Sequence, residues 1–370
     1  MKNYETGQIR NLGVVAHGGA GKTSLVEAML FNTGVLSRLG KIEDGTTTSD
    51  YHPEETARQI TIHTSLVPCE WNGAKINLLD TPGFSDFIGE VKGALRVADA
   101  ALFVVSAVDG VEVQHEVIWD IADEYDMPRI IFINKMDREN ANFEKVLDEL
   151  KTKFKGNFVP FQIPIGAFST FNGVVDTINE KAYTGTGKGE EGKLPDDLND
   201  EIEQCREQLL EAAAEGDDDL TMKYLEGEEL TPDEIKDGLK KSIALRKVIP
   251  VLAGSATKNI GVAQLIDIVA AYLPAPKEDN GPLSALVFKT IADPYVGKMN
   301  FLRVYSGALK SDSTVYNSKK EKAERIGNVL FVRGKSTTQA GVAPCGDLAV
   351  VVKLQDTGTC DTLCEKDKPV

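Results

Sequence analysis

The residues near the N-terminus best suited to chemistry form the stretch 16–24, Ala-His-Gly-Gly-Ala-Gly-Lys-Thr-Ser. An apolar run at 9–15 precedes it and a helical pattern follows, which predicts a strand, a glycine-rich turn and a helix. Backbone N–H groups and the positive helix N-terminus then converge on one spot that suits a phosphate. Lys22 would reach the outer phosphates and the Thr23 hydroxyl would ligate Mg²⁺. Ala16 replaces the first glycine of the G-x-x-x-x-G-K-[ST] pattern, and a loop that only turns the chain is the alternative.

A second group of candidate residues follows another apolar run. The stretch 77–84, Asn-Leu-Leu-Asp-Thr-Pro-Gly-Phe, places Asp80 at the end of a strand and before a Pro-Gly break. A type II turn explains Pro-Gly without any chemistry. The same positions suit a carboxylate that holds magnesium-bound water and a Gly83 N–H that approaches a γ-phosphate. Upstream, the polar stretch 38–59 leads to Thr61 and is either a plain surface loop or a functional one.

A third group suits recognition of a base. In the stretch 133–137, Ile-Asn-Lys-Met-Asp, the Asp137 carboxylate would accept from the two donors on the Watson–Crick edge of guanine, which adenine cannot offer together. The stem of Lys135 can lie along the base, and Asn134 can brace the loop. Further on, the stretch 251–256 is an apolar run, Val-Leu-Ala, that enters a loop of small residues, Gly-Ser-Ala. A backbone N–H of this loop can meet guanine O6.

The elements that must position these residues alternate between strands and helices. Apolar runs predict strands at 9–15, 76–79, 100–106 and 129–133, with helical patterns between and after them. This alternation is typical of a parallel sheet covered on both faces, in which ligands bind at the carboxyl ends of the strands. The motifs each stand at such an end, in one order, and together they indicate a guanine-nucleotide site.

Composition describes an ordinary globular chain of 370 residues with 42% hydrophobic and 26% charged residues. The longest apolar run, 100–108, is too short for a membrane span, and the N-terminus lacks a signal peptide, so we expect a cytoplasmic protein without a membrane partner. Five scattered cysteines without a C-x-x-C predict free thiols. Of the net charge of −16, −15 lies in residues 190–237, which leaves room for local contact with RNA elsewhere.

The combined motifs resemble those of the translational GTPases, and their pattern is similar to that of elongation factor G. The resemblance covers nearly the whole chain, including the stretch 286–298 (Leu-Val-Phe-Lys-Thr-Ile-Ala-Asp-Pro-Tyr-Val-Gly-Lys), the stretch 303–307 and the stretch 358–363. It implies GTP as substrate, GDP as product and Mg²⁺ as cofactor. It also implies a monomer whose partner is the ribosome, through ribosomal RNA and the stalk protein, and not DNA.

The resemblance also implies roles for the residues of these motifs. Lys22, Thr61 and Gly83 are expected to act in hydrolysis, and Mg²⁺ is expected on Thr23, Thr61 and, through water, Asp80. The nucleotide-binding residues are expected to be Gly18, Gly19, Ala20, Gly21, Lys22, Thr23, Ser24, Asn134, Lys135, Asp137, Ser255 and Ala256. Hydrolysis would relax two segments, 38–61 and 80–92, because the γ-phosphate contacts of Thr61 and of the Gly83 N–H vanish.

The expected fold is α/β: a P-loop GTPase domain at 1–273, with a mostly parallel sheet and an α+β insertion at about 158–247. A Pro-rich linker at 274–281 leads to an antiparallel β-barrel domain at 282–370. The acidic charge of the insertion is explained by a solvated helix face or, by resemblance, by contact with the stalk protein. Elongation factor G continues with three more domains, so we expect the chain to be a fragment of a longer protein.

Two departures from the family pattern concern the phosphate end. The family has His-x-Asp where this chain has His17 followed by two glycines, and the missing carboxylate argues against a monovalent cation beside the phosphates. Phe84 stands where the family has a water-orienting histidine, and a phenyl ring can neither donate nor accept a hydrogen bond. His63 is expected on a strand face. These departures resemble the divergent second copies of elongation factor G in bacteria.

The sequence therefore predicts a ribosome-associated GTPase that resembles elongation factor G and is slow without the ribosome. One alternative is a ribosomal protection GTPase of the tetracycline-resistance type, although those proteins normally keep the histidine that Phe84 replaces. Another is a scaffold that senses GTP with little turnover. The sequence does not distinguish translocation from recycling or rescue.

Overall fold

The fold is described from a computed structural model that covers residues 4–293 and 296–370. Pro294 and Tyr295, within the family-like stretch 286–298, lie outside the described residues. The first three quarters of the chain carry these strands and α-helices in order: β1 (Ile9–Val15), α1 (Lys22–Asn32), α2 (Pro53–Arg58), β2 (Ser65–Trp71), β3 (Ala74–Asp80), α3 (Ile88–Leu95), β4 (Ala100–Ser106), α4 (Val113–Glu124), β5 (Arg129–Asn134), α5 (Phe143–Lys153), β6 (Phe158–Pro160), β7 (Gln162–Ile165), β8 (Gly173–Asp176), β9 (Lys181–Thr184), β10 (Glu190–Gly192), α6 (Asn199–Ala214), α7 (Asp218–Leu225), α8 (Pro232–Ala244), β11 (Ile249–Ala253) and α9 (Val262–Tyr272).

Seven strands form the main sheet in the order β2-β3-β1-β4-β5-β11-β6. All neighbouring pairs are parallel except β2 and β3, which run antiparallel at one edge. Apolar residues of α3, α4 and α5 pack on one face, and those of α1 and α9 pack on the other. The predicted α/β fold is thereby confirmed. Its central strands read as continuous apolar runs because both of their faces are buried.

Two local expectations need correction, and one strand was not expected. The polar stretch 38–59 is not entirely loop, since α2 forms within it with Pro53 at its first position and acidic residues in its first turn. His63 does not lie on a strand face, because β2 begins two residues later. Its ring instead meets the ring of His52, with centroids 5.1 Å apart. The edge strand β2 was not predicted, since its antiparallel pairing with β3 leaves no mark on the spacing of the motifs.

The insertion contains a four-stranded antiparallel sheet, ordered β10-β9-β8-β7, and the helices α6, α7 and α8. Strand β6, at the expected start of the insertion, pairs with β11 and so extends the main sheet. The stretch 223–231 covers the end of α7 and the turn before α8. Thr231 caps α8, since its hydroxyl accepts from the Glu234 N–H while the Glu234 carboxylate accepts from the Thr231 N–H.

The last quarter of the chain is antiparallel and β-rich, as predicted. After α9 ends at Tyr272, the strands are β12 (Ser284–Asp293), β13 (Gly297–Ser306), β14 (Ala308–Lys310), β15 (Ser313–Asn317), β16 (Lys322–Ile326), β17 (Val329–Arg333), β18 (Ser336–Gln339), β19 (Val342–Pro344), β20 (Leu348–Val352) and β21 (Thr362–Cys364). Eight of them form one sheet in the order β16-β15-β21-β12-β13-β20-β17-β18, and β14 pairs with β19. Turns occur at Gly307, Gly341 and Gly346, which all have positive φ.

The β-rich domain packs against β1 and β3 through buried polar contacts. The Lys75 ammonium lies 2.7 Å from the Asp347 carboxylate, with both side chains at most 2% exposed. Asn77 also donates to Asp347, and Arg303 pairs with Asp99. Such a pair is costly to break, because one buried charge would lose its partner. Within residues 4–293 and 296–370, no helix is both long and apolar enough to cross a bilayer.

Candidate nucleotide-binding site

A cavity of about 400 Å³ opens at the carboxyl ends of β1, β3 and β5, where the three motifs meet. It is lined by Gly18, Gly19, Gly21, Lys22, Thr23, Ser24, Ile42, Glu43, Asp50, Gln59, Ile60, Thr61, Gly83, Phe84, Asn134, Lys135, Arg138 and Thr257. Most of these residues were singled out from the sequence. The expected site residues Ala20, Asp80, Ser255 and Ala256 are buried behind the lining, and Asp137 borders an adjoining cavity of about 610 Å³.

The glycine-rich loop has the conformation that its sequence predicts. Gly19 and Gly21 have φ values of 83° and 94°, which side-chain-bearing residues rarely adopt. A Cβ on Gly21 would also lie 2.5 Å from Asn134 Nδ2. Both the backbone conformation and the lack of space therefore favour glycine at this position. Because α1 begins at Lys22, the N–H groups of its first turn have no partner within the helix and are available to a phosphate.

The Lys22 ammonium is buried at the base of this loop and donates to the His17 carbonyl at 3.1 Å. Burial lowers the pKa of Lys22 to about 8, although the nearby Asp80 and Asp50 carboxylates act in the opposite direction. A bound phosphate would supply further negative charge and would favour the protonated amine. The side chain is therefore placed where an anion would stabilise it.

The two threonines predicted as metal ligands meet directly. Thr23 Oγ1 and Thr61 Oγ1 lie 2.9 Å apart, although the two residues belong to α1 and to the segment 38–61. Nearby, Asp80 Oδ2 accepts from Ser49 at 2.6 Å, while Asp80 Oδ1 and Asp50 Oδ1 are buried and have no hydrogen-bond partner among the described residues. The structure thus brings the segment 38–61 onto the phosphate loop.

This cluster of oxygens fits a hard divalent cation. Burial raises the pKa of Asp80 to about 6, against the opposing Ser49 hydrogen bond, and raises that of Asp50 to about 7 with help from the Asp80 charge. Two buried carboxyls with unpartnered oxygens are costly unless a cation or a proton compensates them. Hydroxyl and carboxylate oxygens, with water, are the ligands that Mg²⁺ prefers.

Two acidic residues in this region were missed by sequence reasoning. Besides Asp50, the fully buried Glu55 accepts hydrogen bonds from the backbone N–H groups of Ile62 and His63 at 3.1 and 2.9 Å. Its other oxygen accepts from the His52 N–H. Glu55 therefore holds the chain beyond Thr61 against α2. The segment contains several acidic residues, and their spacing alone does not distinguish these two.

The backbone at Gly83 lies against the phosphate loop. A Cβ at this position would come within 2.4 Å of Lys22 Nζ and 2.8 Å of the His17 carbonyl oxygen. The ring of Phe84 lies beside Gly18, since a Cβ on Gly18 would come within 3.0 Å of the ring. Phe84 is 44% exposed. The position expected to orient a water therefore carries a ring that partly covers the loop and cannot hydrogen-bond.

The base end of the site is braced by one side chain. Asn134 Nδ2 donates to the Ala20 carbonyl and Asn134 Oδ1 accepts from the Ala256 N–H, both at 2.9 Å. The Ala256 N–H, one candidate for guanine O6, is thus already engaged in this brace. The Asp137 side chain is 10% exposed, and its Oδ1 is buried without a hydrogen-bond partner. That oxygen remains available to a donor on a ligand.

A glycine-rich loop between β1 and α1, beside acidic strand ends of a parallel sheet, defines a P-loop nucleotide-binding protein. Residues 7–275 match the family described as "Elongation factor Tu GTP binding domain", and residues 282–366 match "Elongation factor G domain 2". The chain therefore belongs to the translational GTPases and is similar to elongation factor G.

Two relatives support this assignment. An elongation factor G from Thermotoga neapolitana is 42% identical to this chain in an alignment of 386 positions. The alignment covers 98% of this chain and 56% of that protein. A crystal structure of a protein from Thermus thermophilus matches with a TM-score of 0.92 at 33% identity, covering 98% of this chain and 55% of the other. The chain thus spans about half the length of the relatives it matches.

Proposed function

We propose that this chain binds GTP with Mg²⁺, hydrolyses it to GDP and phosphate, and serves as the GTPase part of a ribosome-associated translation factor resembling elongation factor G. The observation that carries the proposal is the 2.9 Å contact between the Thr23 and Thr61 hydroxyls beside unpartnered oxygens of Asp50 and Asp80. It joins the phosphate loop to the segment 38–61, so that the two proposed metal ligands already lie side by side.

In this proposal each end of the cavity has its own task. Asp137 accepts from the guanine edge, while Asn134 holds the base-side loops together. Ser255 and Ala256 support this wall, and the stem of Lys135 lies along the base. Such a paired contact to a base edge contributes about 1–3 kcal/mol of discrimination.

At the phosphate end, backbone N–H groups of residues 18–24 and the Lys22 ammonium bind the phosphates. Thr23 and Thr61 would hold Mg²⁺ directly, and Asp80 and Asp50 would act through water. When bound, Mg²⁺ neutralises charge that develops on the phosphate oxygens. The Gly83 N–H contributes a further donor at the γ-phosphate.

Hydrolysis also needs an oriented water, and Phe84 cannot hold one. We therefore propose a low intrinsic rate and completion of the site by the ribosome, the proposed partner through its RNA and stalk protein. In this proposal the protein is a cytoplasmic monomer, with a GTPase domain at 1–273, a linker at 274–281 and a second domain at 282–370. Phe84 also favours one second candidate, a GTP-sensing scaffold with little turnover.

The test is phosphate release from GTP, measured with and without ribosomes, together with the affinities for GTP and ATP in the presence and absence of Mg²⁺. We expect Mg²⁺-dependent preference for GTP and a slow rate that ribosomes increase. Equal affinity for GTP and ATP would contradict the guanine assignment. A rate that ribosomes leave unchanged, in a protein that also contains the domains present in its longer relatives, would favour the scaffold.

A further inference from the structure

The β-rich domain touches both segments that are proposed to change with the nucleotide. Lys289, on β12, donates from its ammonium to the Thr64 carbonyl at 2.8 Å and to the Glu90 carboxylate at 2.9 Å. Thr64 lies three residues beyond Thr61, and Glu90 lies on α3, within the proposed switch 80–92. One side chain of the second domain thus bridges the ends of two segments of the first.

Thr64 and Glu90 are also joined to each other directly. The Glu90 carboxylate accepts from the Thr64 N–H at 2.7 Å, and the Thr64 hydroxyl donates to the Glu90 carbonyl at 3.1 Å. Burial acts to raise the pKa of Glu90, but the charge of Lys289 and the hydrogen bonds from Lys289 and Thr64 outweigh it and lower that pKa. The Lys289 side chain is 12% exposed and that of Glu90 is 31% exposed, so salt screens this pair less than a fully exposed one. These contacts form a closed three-residue cluster.

A second contact reaches the segment 38–61 itself. Gly334, in the turn between β17 and β18, has a φ of 54° and packs so closely that a Cβ there would lie 2.3 Å from the Thr48 carbonyl oxygen. The Thr48 N–H is in turn held by Glu27 of α1 at 2.8 Å. The segment is therefore enclosed between α1 and the β-rich domain.

The β-rich domain does not depend on these contacts to stay in place. The buried Lys75–Asp347 pair and the Arg303–Asp99 pair attach it to the β1 and β3 side of the first domain. Loss of the Lys289 contacts would therefore loosen Thr64 and α3 while leaving the domain docked.

From this geometry we propose that Lys289 is a positioning residue that stabilises the closed arrangement of Thr61 and α3, and so favours the GTP-bound state over the GDP-bound state. The inference rests on the proposed function, since it requires a GTP state in which Thr61 closes on Thr23. Because coupling is reciprocal, GTP binding then also tightens the contact between the two domains. The β-rich domain becomes part of the nucleotide switch.

The test compares Lys289→Met with the unchanged 370-residue chain. Dissociation constants are measured for a non-hydrolysable GTP analogue and for GDP with Mg²⁺. We expect the analogue to bind about fivefold more weakly, at the low end of typical coupling between sites, with GDP affinity unchanged. The matched control is Lys322→Met, because Lys322 pairs with Asp356 on the same domain away from both switch segments. This control should leave both constants unchanged.

Two further variants keep the test decisive if Lys289→Met is poorly folded. Glu90→Gln removes the same pair from the other side and should produce the same selective loss, whereas Lys289→Arg keeps the charge and should retain most of the affinity. Equal loss for GDP and the analogue, or no loss for either, would overturn the inference. Failure of the unchanged chain to bind the GTP analogue would overturn the proposed function as well.

Discussion

At the base end of the cavity Asn134 hydrogen-bonds to two loops at once, whereas at the hydrolysis end Phe84 has no side-chain atom that can hydrogen-bond. The base end is a braced wall in which Asp137 keeps one buried oxygen for a ligand. The hydrolysis end has the backbone of Gly83 pressed against the phosphate loop, but Phe84 gives it no group to hold water. This contrast agrees with the proposed function, in which the chain binds the nucleotide and a group from elsewhere completes the hydrolysis step.

The two ends also differ in how their parts are held. The Asn134 brace joins loops at the ends of β1, β5 and β11, which are fixed by the central sheet. The segment 38–61 is held by hydrogen bonds that it donates to carboxylates on other elements, from the Thr48 N–H to Glu27 and from the Ser49 hydroxyl to Asp80. A wall fixed by buried strands changes little during a reaction, whereas a segment held by few polar contacts can be released.

The largest expected effect comes from breaking the base end. Asp137→Asn replaces an acceptor with an amide that can donate to the C2 oxygen of xanthine. We expect affinity for GTP to fall about 5- to 150-fold, which corresponds to the 1–3 kcal/mol of a paired base contact. Affinity for the xanthine nucleotide should rise by a comparable factor. Competition binding with both nucleotides measures the exchange, and the exposed neighbour Glu139→Gln should leave it unchanged.

An intermediate effect is expected at the proposed Mg²⁺ ligands, where substitutions of the two threonines should have different effects on GDP binding. Thr23→Ala should weaken Mg²⁺-dependent binding of both GTP and GDP by about tenfold or more, the scale seen when support for a metal site is lost. Thr61→Ala should weaken only the GTP state, because its hydroxyl belongs to the movable segment. Titrations with both nucleotides distinguish these outcomes.

The exposed Thr46, in the same segment, provides a control because its substitution by alanine should alter neither nucleotide. If Thr61→Ala lost GDP as strongly as Thr23→Ala does, the segment would be a fixed part of the site and not a switch.

The smallest effect on the isolated chain is expected at the hydrolysis end. Phe84→His should raise the intrinsic rate by less than about tenfold, far below the 10²- to 10⁴-fold of an aimed acid or base. The imidazole would rest beside Gly18 as the phenyl ring does, and we expect the free chain not to aim it. Single-turnover phosphate release measures the change, and ribosomes should enlarge it.

Phe84→Leu is the matched comparison, since it removes the ring without adding an imidazole. Rapid hydrolysis by the unchanged chain alone would show that another residue already holds the water, and the contrast between the two ends would then disappear.

The sequence by itself determined the parts whose partners are close along the chain. The glycine-rich loop, Asp80 and Asp137 each follow an apolar run, and such runs predict strands whose carboxyl ends meet at one edge of a sheet. Taken together and in this order, their residue types indicate phosphate, metal and guanine, because each chemistry needs a particular donor or acceptor at that place.

Only the tertiary structure decided which polar residues of the less regular regions belong to the site. Asp50 and Glu55 lie in a stretch with several acidic residues, and nothing in the sequence of β12 shows what Lys289 contacts. Folding chooses the partner of Lys289 over a long separation, since it contacts Thr64 across 225 residues. Strand β6 likewise joins the main sheet beside β11, which follows it only after the whole insertion. Local pattern records propensity and periodicity, whereas such contacts depend on how complete elements pack, which no short stretch of sequence contains.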